Sequence, residues 1–112
     1  MKHTPMIAAA VAATLGWAGA AAAQTELTMW YHGGGNQVES DIINTIVADF
    51  NDANADYNVT LEAFPQGSYN DSIVAAALAG NLPDIIDVDG PVMPNWAWAG
   101  YMQPLSIDES VI

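Results

Sequence analysis

The stretch Ala79–Leu105, AGNLPDIIDVDGPVMPNWAWAGYMQPL, decides the fold. Gly80 and Asn81 suit the left-handed turn that closes a helix, and Pro83 stops that helix from resuming. Asp84 is expected to fix the turn after Pro83 through backbone hydrogen bonds. Ile85, Ile86 and Val88 read as a short strand buried on both faces, the pattern of a parallel sheet. Asp87 and Asp89 fall at the carboxyl end of that strand, and Gly90 and Pro91 break it ahead of a helix carrying Trp96 and Trp98. Two indoles two positions apart on a helix face different ways. Trp96 shares a face with Val92 and Ala99 and reads as a core residue, whereas Trp98 is the freer one. Ligands of open parallel sheets bind beyond the carboxyl ends of the strands, so this exit is a candidate site for a polar, hydrogen-bonding small molecule.

Upstream, the chain repeats the same alternation of strand and helix. Leu27, Met29 and Tyr31 alternate with Thr28 and Trp30, predicting a first strand over 26–31. His32-Gly33-Gly34-Gly35-Asn36 follows as a turn. It lacks the lysine of a phosphate loop and the glycine spacing of a dinucleotide fingerprint, and it reads equally as a plain strand-to-helix turn or as a ligand loop. A single histidine there is no metal site. Residues 37–54 read as a covering helix: Val38, Ile42, Ile46 and Phe50, with Ile43 and Val47 beside them, make one apolar stripe. A second strand is predicted over 58–64. Ser68 and Asp71 then form a capping box for a second helix that runs to about Ala79, packing through Ile73, Ala76 and Ala77. Tyr69, at the mouth of this helix, suits packing as well as ligand contact. Right-handed crossovers would make all three strands parallel. The polar turns at 32–36, 66–69 and 87–89 would then share one edge of the sheet.

The 112 residues include 13 Asp and Glu but only one Lys or Arg, Lys2, and no cysteine. Disulfides and thiolate metal sites are therefore excluded. Met6–Ala23 is an uncharged alanine-rich run, and Ala21-Ala22-Ala23 fits a signal-peptidase site, predicting a secretory signal over 1–23, a mature chain from Gln24 and a periplasmic location. With no basic patch, binding to nucleic acid and to anionic membranes is disfavoured. Asp84, Asp87 and Asp89 invite a metal reading, but Asp84 does not share a strand face with the other two, and the run Asp87-Val88-Asp89-Gly90 matches only a scrap of a calcium loop, so neither a metal nor another cofactor is expected. Asp87 and Asp89 could serve a secreted carbohydrate hydrolase as an acid–base pair, and a bare acidic interaction domain is a further alternative. The residue types suit sugar best: Asp89 could accept two hydroxyls while an indole or phenol stacks against the ring.

Several motifs in this order resemble the extracellular solute-binding proteins of ATP-binding-cassette (ABC) importers, in particular the carbohydrate-binding group that includes maltose-binding protein. They are Leu27-Thr-Met-Trp-Tyr31, Ala48-Asp-Phe-Asn51, Asn58-Val-Thr-Leu-Glu62 and, above all, Ala79-Gly-Asn-Leu-Pro-Asp-Ile85-Ile86. The pattern Trp-Ala-x-x-Gly-x-x-x-Pro-Leu is met at Trp96, Ala97, Gly100, Pro104 and Leu105. The resemblance implies an α/β lobe of the type II periplasmic-binding-protein kind, with residues 24–112 forming the front part of the first of two lobes. It implies a monomer without enzymatic activity that closes on a carbohydrate and delivers it to the membrane permease subunits, with no insertion into the membrane after signal cleavage. It also implies ligand contacts from His32, Gly33, Tyr69 and Asp89.

Overall fold

The computed structural model describes residues 23–108 and residue 110, so the expected signal segment lies almost wholly outside the described residues. The elements are β1 (Thr25–Gly34), α1 (Gln37–Ala53), β2 (Tyr57–Pro65), α2 (Gln66–Ala79), β3 (Ile85–Ile86) and α3 (Met93–Trp98). The three strands form one parallel sheet in the order β2-β1-β3, giving the expected α/β lobe. Because β2 and β3 flank β1 on opposite sides, right-handed crossovers place α1 and α2 on opposite faces of the sheet. Strand alternation agrees with this. Leu27 and Met29 point towards Ile43, Val47 and Phe50 of α1. Trp30 and Ile86 point towards the other face.

That second face holds the core. Tyr69 and Ile73 of α2 and Trp96 of α3 are buried together, with Trp30, Phe64, Leu82, Ile86 and Val88 packed around them. The Trp30 and Phe64 ring centroids are 4.6 Å apart. Trp98, one face round from Trp96, is 95% exposed. The helix α2 closes on Gly80 at φ 70°, where a glycine adopts the left-handed conformation without a Cβ penalty. The Asn81 N–H then caps the Ala76 carbonyl at 3.0 Å.

The α1 face differs from its expectation. No residue of α1 is buried. The inner half of its stripe meets the sheet, leaving an apolar gap of about 210 Å³ between Ile43, Val47 and Phe50 on the helix and Leu27, Met29, Val59 and Ile85 on the strands. Val38 and Ile42 stay outside, 69% and 57% exposed, because the stripe is wider than one sheet face can meet. Asn51 anchors this helix instead. Its side chain accepts from the Val59 N–H (2.7 Å) and donates to the Val59 carbonyl (2.9 Å), pairing with β2 as a neighbouring strand would.

Three further boundaries are corrected. First, β3 is an edge strand of two residues, so Ile85 opens onto the apolar gap rather than being covered on both faces. Second, β1 runs past Tyr31 to Gly34, with an irregular register between the two. Gly34 lies so close to β2 that a Cβ there would sit 2.6 Å from the Phe64 carbonyl carbon. Third, α2 starts at Gln66, straight after β2, with Pro65 at its cap. The fixed φ of proline turns the chain directly from strand to helix. Ser68 is therefore inside the helix, where its hydroxyl donates to the Pro65 carbonyl rather than capping as expected.

Candidate functional site

At the carboxyl edge, the chain leaves β1 for β2 on one side, while β3 lies on the other side of β1. This is the switch point at which open α/β sheets form a crevice. His32, near the end of β1, meets Asp87, the first residue beyond β3. The imidazole Nδ1 and Asp87 Oδ2 are in direct contact as a histidine–carboxylate pair. Both atoms are sealed from solvent, and neither makes a hydrogen bond of ordinary geometry to any described residue.

Tyr69 braces this meeting point from below. Its hydroxyl accepts from the Asp87 N–H (3.0 Å) and lies within donating distance of the Trp30 carbonyl (3.0 Å) and the Asp87 carbonyl (2.9 Å). The Asp87 N–H also reaches the Trp30 carbonyl at 3.1 Å. One phenol thus spans β1 and the chain leaving β3 just where the backbone ladder ends. Burial pushes this phenol up to about 12, with the carboxylates of Asp87 and Asp89 adding to the rise.

Beside the pair, a polar hollow of about 310 Å³ is lined by His32, Gly33, Gly34, Gly35, Asn36, Glu39 and Gln66. Its size falls at the low end of ligand pockets, roughly 300–1,000 Å³. The ring of Tyr31 folds over Gly33, where any Cβ would overlap it. Partial burial and the neighbouring carboxylates of Glu39 and Asp87 raise the Tyr31 phenol above its ordinary value. Asn36 caps α1 by accepting from the Glu39 N–H at 3.4 Å, which holds Glu39 at the rim.

The expected contacts divide into three kinds. His32 and Gly33 line the hollow. Asp89 is exposed, its carbonyl accepts from the Val92 and Met93 N–H groups at the start of α3, and it is not a lining residue of the hollow. Tyr69 is 3% exposed with its hydroxyl engaged by backbone, so its place is under the site as a brace, not at the surface where a ligand would touch it. Asp84 is also relocated. It does not fix its own turn but latches β3 to the central strand, with Oδ2 accepting from the Thr28 N–H (2.8 Å) and hydroxyl (2.9 Å) and its own N–H donating to that hydroxyl (3.2 Å). Those two donors hold the Asp84 carboxyl below its usual range.

Tyr31 and Glu39 are site residues that the sequence reading did not single out, and Asp87, read there as a strand-exit carboxylate and candidate half of an acid–base pair, lies instead against His32. The available signal was register: Trp30 pairs with Ile86, so one further step sets Asp87 beside Tyr31 and His32. Among the described residues no group of three or more His, Cys, Asp or Glu could hold a metal ion. The site can donate and accept hydrogen bonds and carries negative charge. With no Lys or Arg after Lys2, no side-chain cation other than a histidine balances it.

No curated protein and no solved structure matches this chain. A family model described as bacterial extracellular solute-binding protein matches residues 34–110, a span that includes α1, β2, α2, β3 and α3. That match covers well over half of the sequence, and with the parallel lobe and its switch-point crevice it places the chain in the family of bacterial extracellular solute-binding proteins.

Proposed function

We propose that this chain forms one wall of a carbohydrate-binding cleft in the solute-binding component of an ABC importer. Solute binding outside the cytoplasm is the role of the family, whose members are generally not enzymes. Among the described residues no helix is long and apolar enough to cross a membrane, and a periplasmic location after removal of residues 1–23 accords with this role. The delivery partner is the permease pair of the importer.

One observation carries the choice of solute: the hollow at the β1 exit, rimmed by His32 and Glu39 with Asp87 behind His32, has hydrogen-bonding groups and no Lys or Arg. Hydroxyl-rich neutral molecules satisfy such groups. Phosphates and carboxylates would meet like charge in a partly desolvated site, which is strongly unfavourable. His32 and Gly33 contact the sugar, the exposed carboxylate of Asp89 reaches it from the neighbouring loop, and Tyr69 holds the frame. The ring of Tyr31 offers a face to the sugar's C–H patches.

Titration of the ¹⁵N-labelled protein with neutral sugars, a uronate and a sugar phosphate tests this reading. Neutral sugars are expected to shift the Gly33–Gly35 amides, while the two anionic sugars leave them in place. Silence across all neutral sugars, or a response to the anions alone, overturns the proposal.

A further inference from the structure

We infer that Asp87 is a positioning residue that fixes the tautomer of His32, so that the solute meets an imidazole nitrogen acting only as an acceptor. The role of Asp87 rests on geometry within this chain. Use of that nitrogen by a sugar rests on the function proposed above.

A neutral imidazole has one N–H donor and one bare nitrogen, and the hydrogen bond made by one nitrogen decides the state of the other. Asp87 Oδ2 is an acceptor only, sealed from water and in no other polar contact among the described residues, and it lies against His32 Nδ1, which is likewise sealed and without a hydrogen bond to anything else. Placing the proton on Nε2 would set two lone pairs against each other at a site no water reaches, leaving two buried polar atoms unsatisfied. The proton therefore sits on Nδ1. Nε2 has no hydrogen-bond partner among the described residues, and the ring lines the polar hollow.

Asp87 is itself well placed for this task. Its N–H is held by the Tyr69 hydroxyl and the Trp30 carbonyl, and its carbonyl faces the same hydroxyl. The His32 ring lies 5.3 Å from the Tyr31 ring and 5.7 Å from the Tyr69 ring, centroid to centroid, so it is flanked by aromatic groups. The outcome is a rigid acceptor at the hollow, backed by a carboxylate. It takes a hydrogen bond from a sugar hydroxyl and has none to give to a carboxylate or phosphate oxygen. Asp87 thus contributes to the choice of solute without touching it.

Imidazole ¹⁵N chemical shifts of the ligand-free protein, recorded at about pH 8, above the ordinary histidine value of about 6.5, read the tautomer directly. The expected spectrum has a protonated Nδ1 and a bare Nε2 for His32. In Asp87→Ala the two shifts should move towards the averaged pattern of a free imidazole, and Asp87→Glu should restore the protonated Nδ1. A protonated Nε2 in the wild type overturns the inference, whether the ring is the other tautomer or a full imidazolium. So does an unchanged spectrum in folded Asp87→Ala. Should that variant not fold, the wild-type spectrum decides alone. Because no sugar is present, a protonated Nδ1 in a protein that binds no sugar upholds the positioning role and removes only the carbohydrate reading.

Discussion

The two sides of β1 are built differently. Towards β2, backbone pairing runs unbroken from Thr25↔Tyr57 to Tyr31↔Ala63 and resumes at Gly34↔Pro65. Towards β3, it consists of Met29↔Ile85 and Trp30↔Ile86. Side chains complete this second seam. Asp84 grips Thr28 at its amino end, and at its carboxyl end the Tyr69 hydroxyl and the His32–Asp87 pair join the diverging chains. A long ladder uses up its backbone groups and holds two strands a fixed distance apart. A ladder that stops after two residues lets the strands part, and polar side chains occupy the opening. The candidate site lies on the seam that backbone pairing leaves unfinished.

The largest expected effect comes from removing what supports the short seam. Ile73 is fully buried under Tyr69, Trp96 and Ile86. Ile73→Ala should cost about 2–5 kcal/mol in urea unfolding, the range for a buried aliphatic truncation. Ile46→Ala, on the half-open α1 face where Ile46 is 56% exposed, should cost well under that. Equal costs would mean that the two faces of the sheet are supported alike and that the contrast drawn here is false.

Tyr69→Phe is the next in size. It keeps the ring and deletes the hydroxyl that spans the seam, leaving the Asp87 N–H with the Trp30 carbonyl alone. Loss of a buried bridging group costs about 1–3 kcal/mol. Hydrogen exchange should quicken at the Asp87 amide while amides between β1 and β2 keep their protection. Alkaline pH sharpens the test. The folded phenol is raised to about 12 from an ordinary value of 10, so the unfolded chain releases this proton first. The stabilisation is complete below about pH 10 and drains away as pH rises through 12. Wild type and Tyr69→Phe should converge over that window; a gap that stays constant would mean that the hydroxyl does not contribute as the geometry says.

The same contrast explains what could be read from the residues alone. The order of strands and helices, the helix stop at Gly80 and the separate fates of Trp96 and Trp98 were legible, because spacing and turn chemistry are local properties. Parallel pairing was legible because crossover handedness leaves little choice. Partners across the short seam were not. Asp84 and Thr28 are 56 positions apart, and Tyr69 and Trp30 are 39 apart. No periodicity encodes which distant backbone group a hydroxyl or carboxylate will find. Asp87 and Asp89 look alike in sequence, yet the register of β3 against β1 gives one an imidazole and leaves the other in solvent. The start of α2 was missed for another reason: Ser68 and Asp71 imitate a cap, and the conformation of Pro65 pre-empts it.

The smallest effects separate a side chain that completes a seam from one that merely decorates a ladder. Asp84 accepts two hydrogen bonds from Thr28 that hold its carboxyl below the ordinary value of 3.8. Its stabilisation is therefore present above that value and disappears as pH falls through the lower folded one. Asp84→Asn should lower the urea midpoint at neutral pH by less than Tyr69→Phe does, because the site is open to solvent, and the deficit should vanish in strong acid. Asn58 provides the control. It donates to Glu26 at 2.6 Å across β1 and β2, a shorter contact than any made by Asp84, but on an exposed stretch already joined by the ladder. Asn58→Ala should stay within about 0.5 kcal/mol of wild type. If Asn58 proves the costlier of the two, contact length rather than the lack of backbone pairing sets the worth of a cross-strand side chain, and the difference between the two seams loses its meaning.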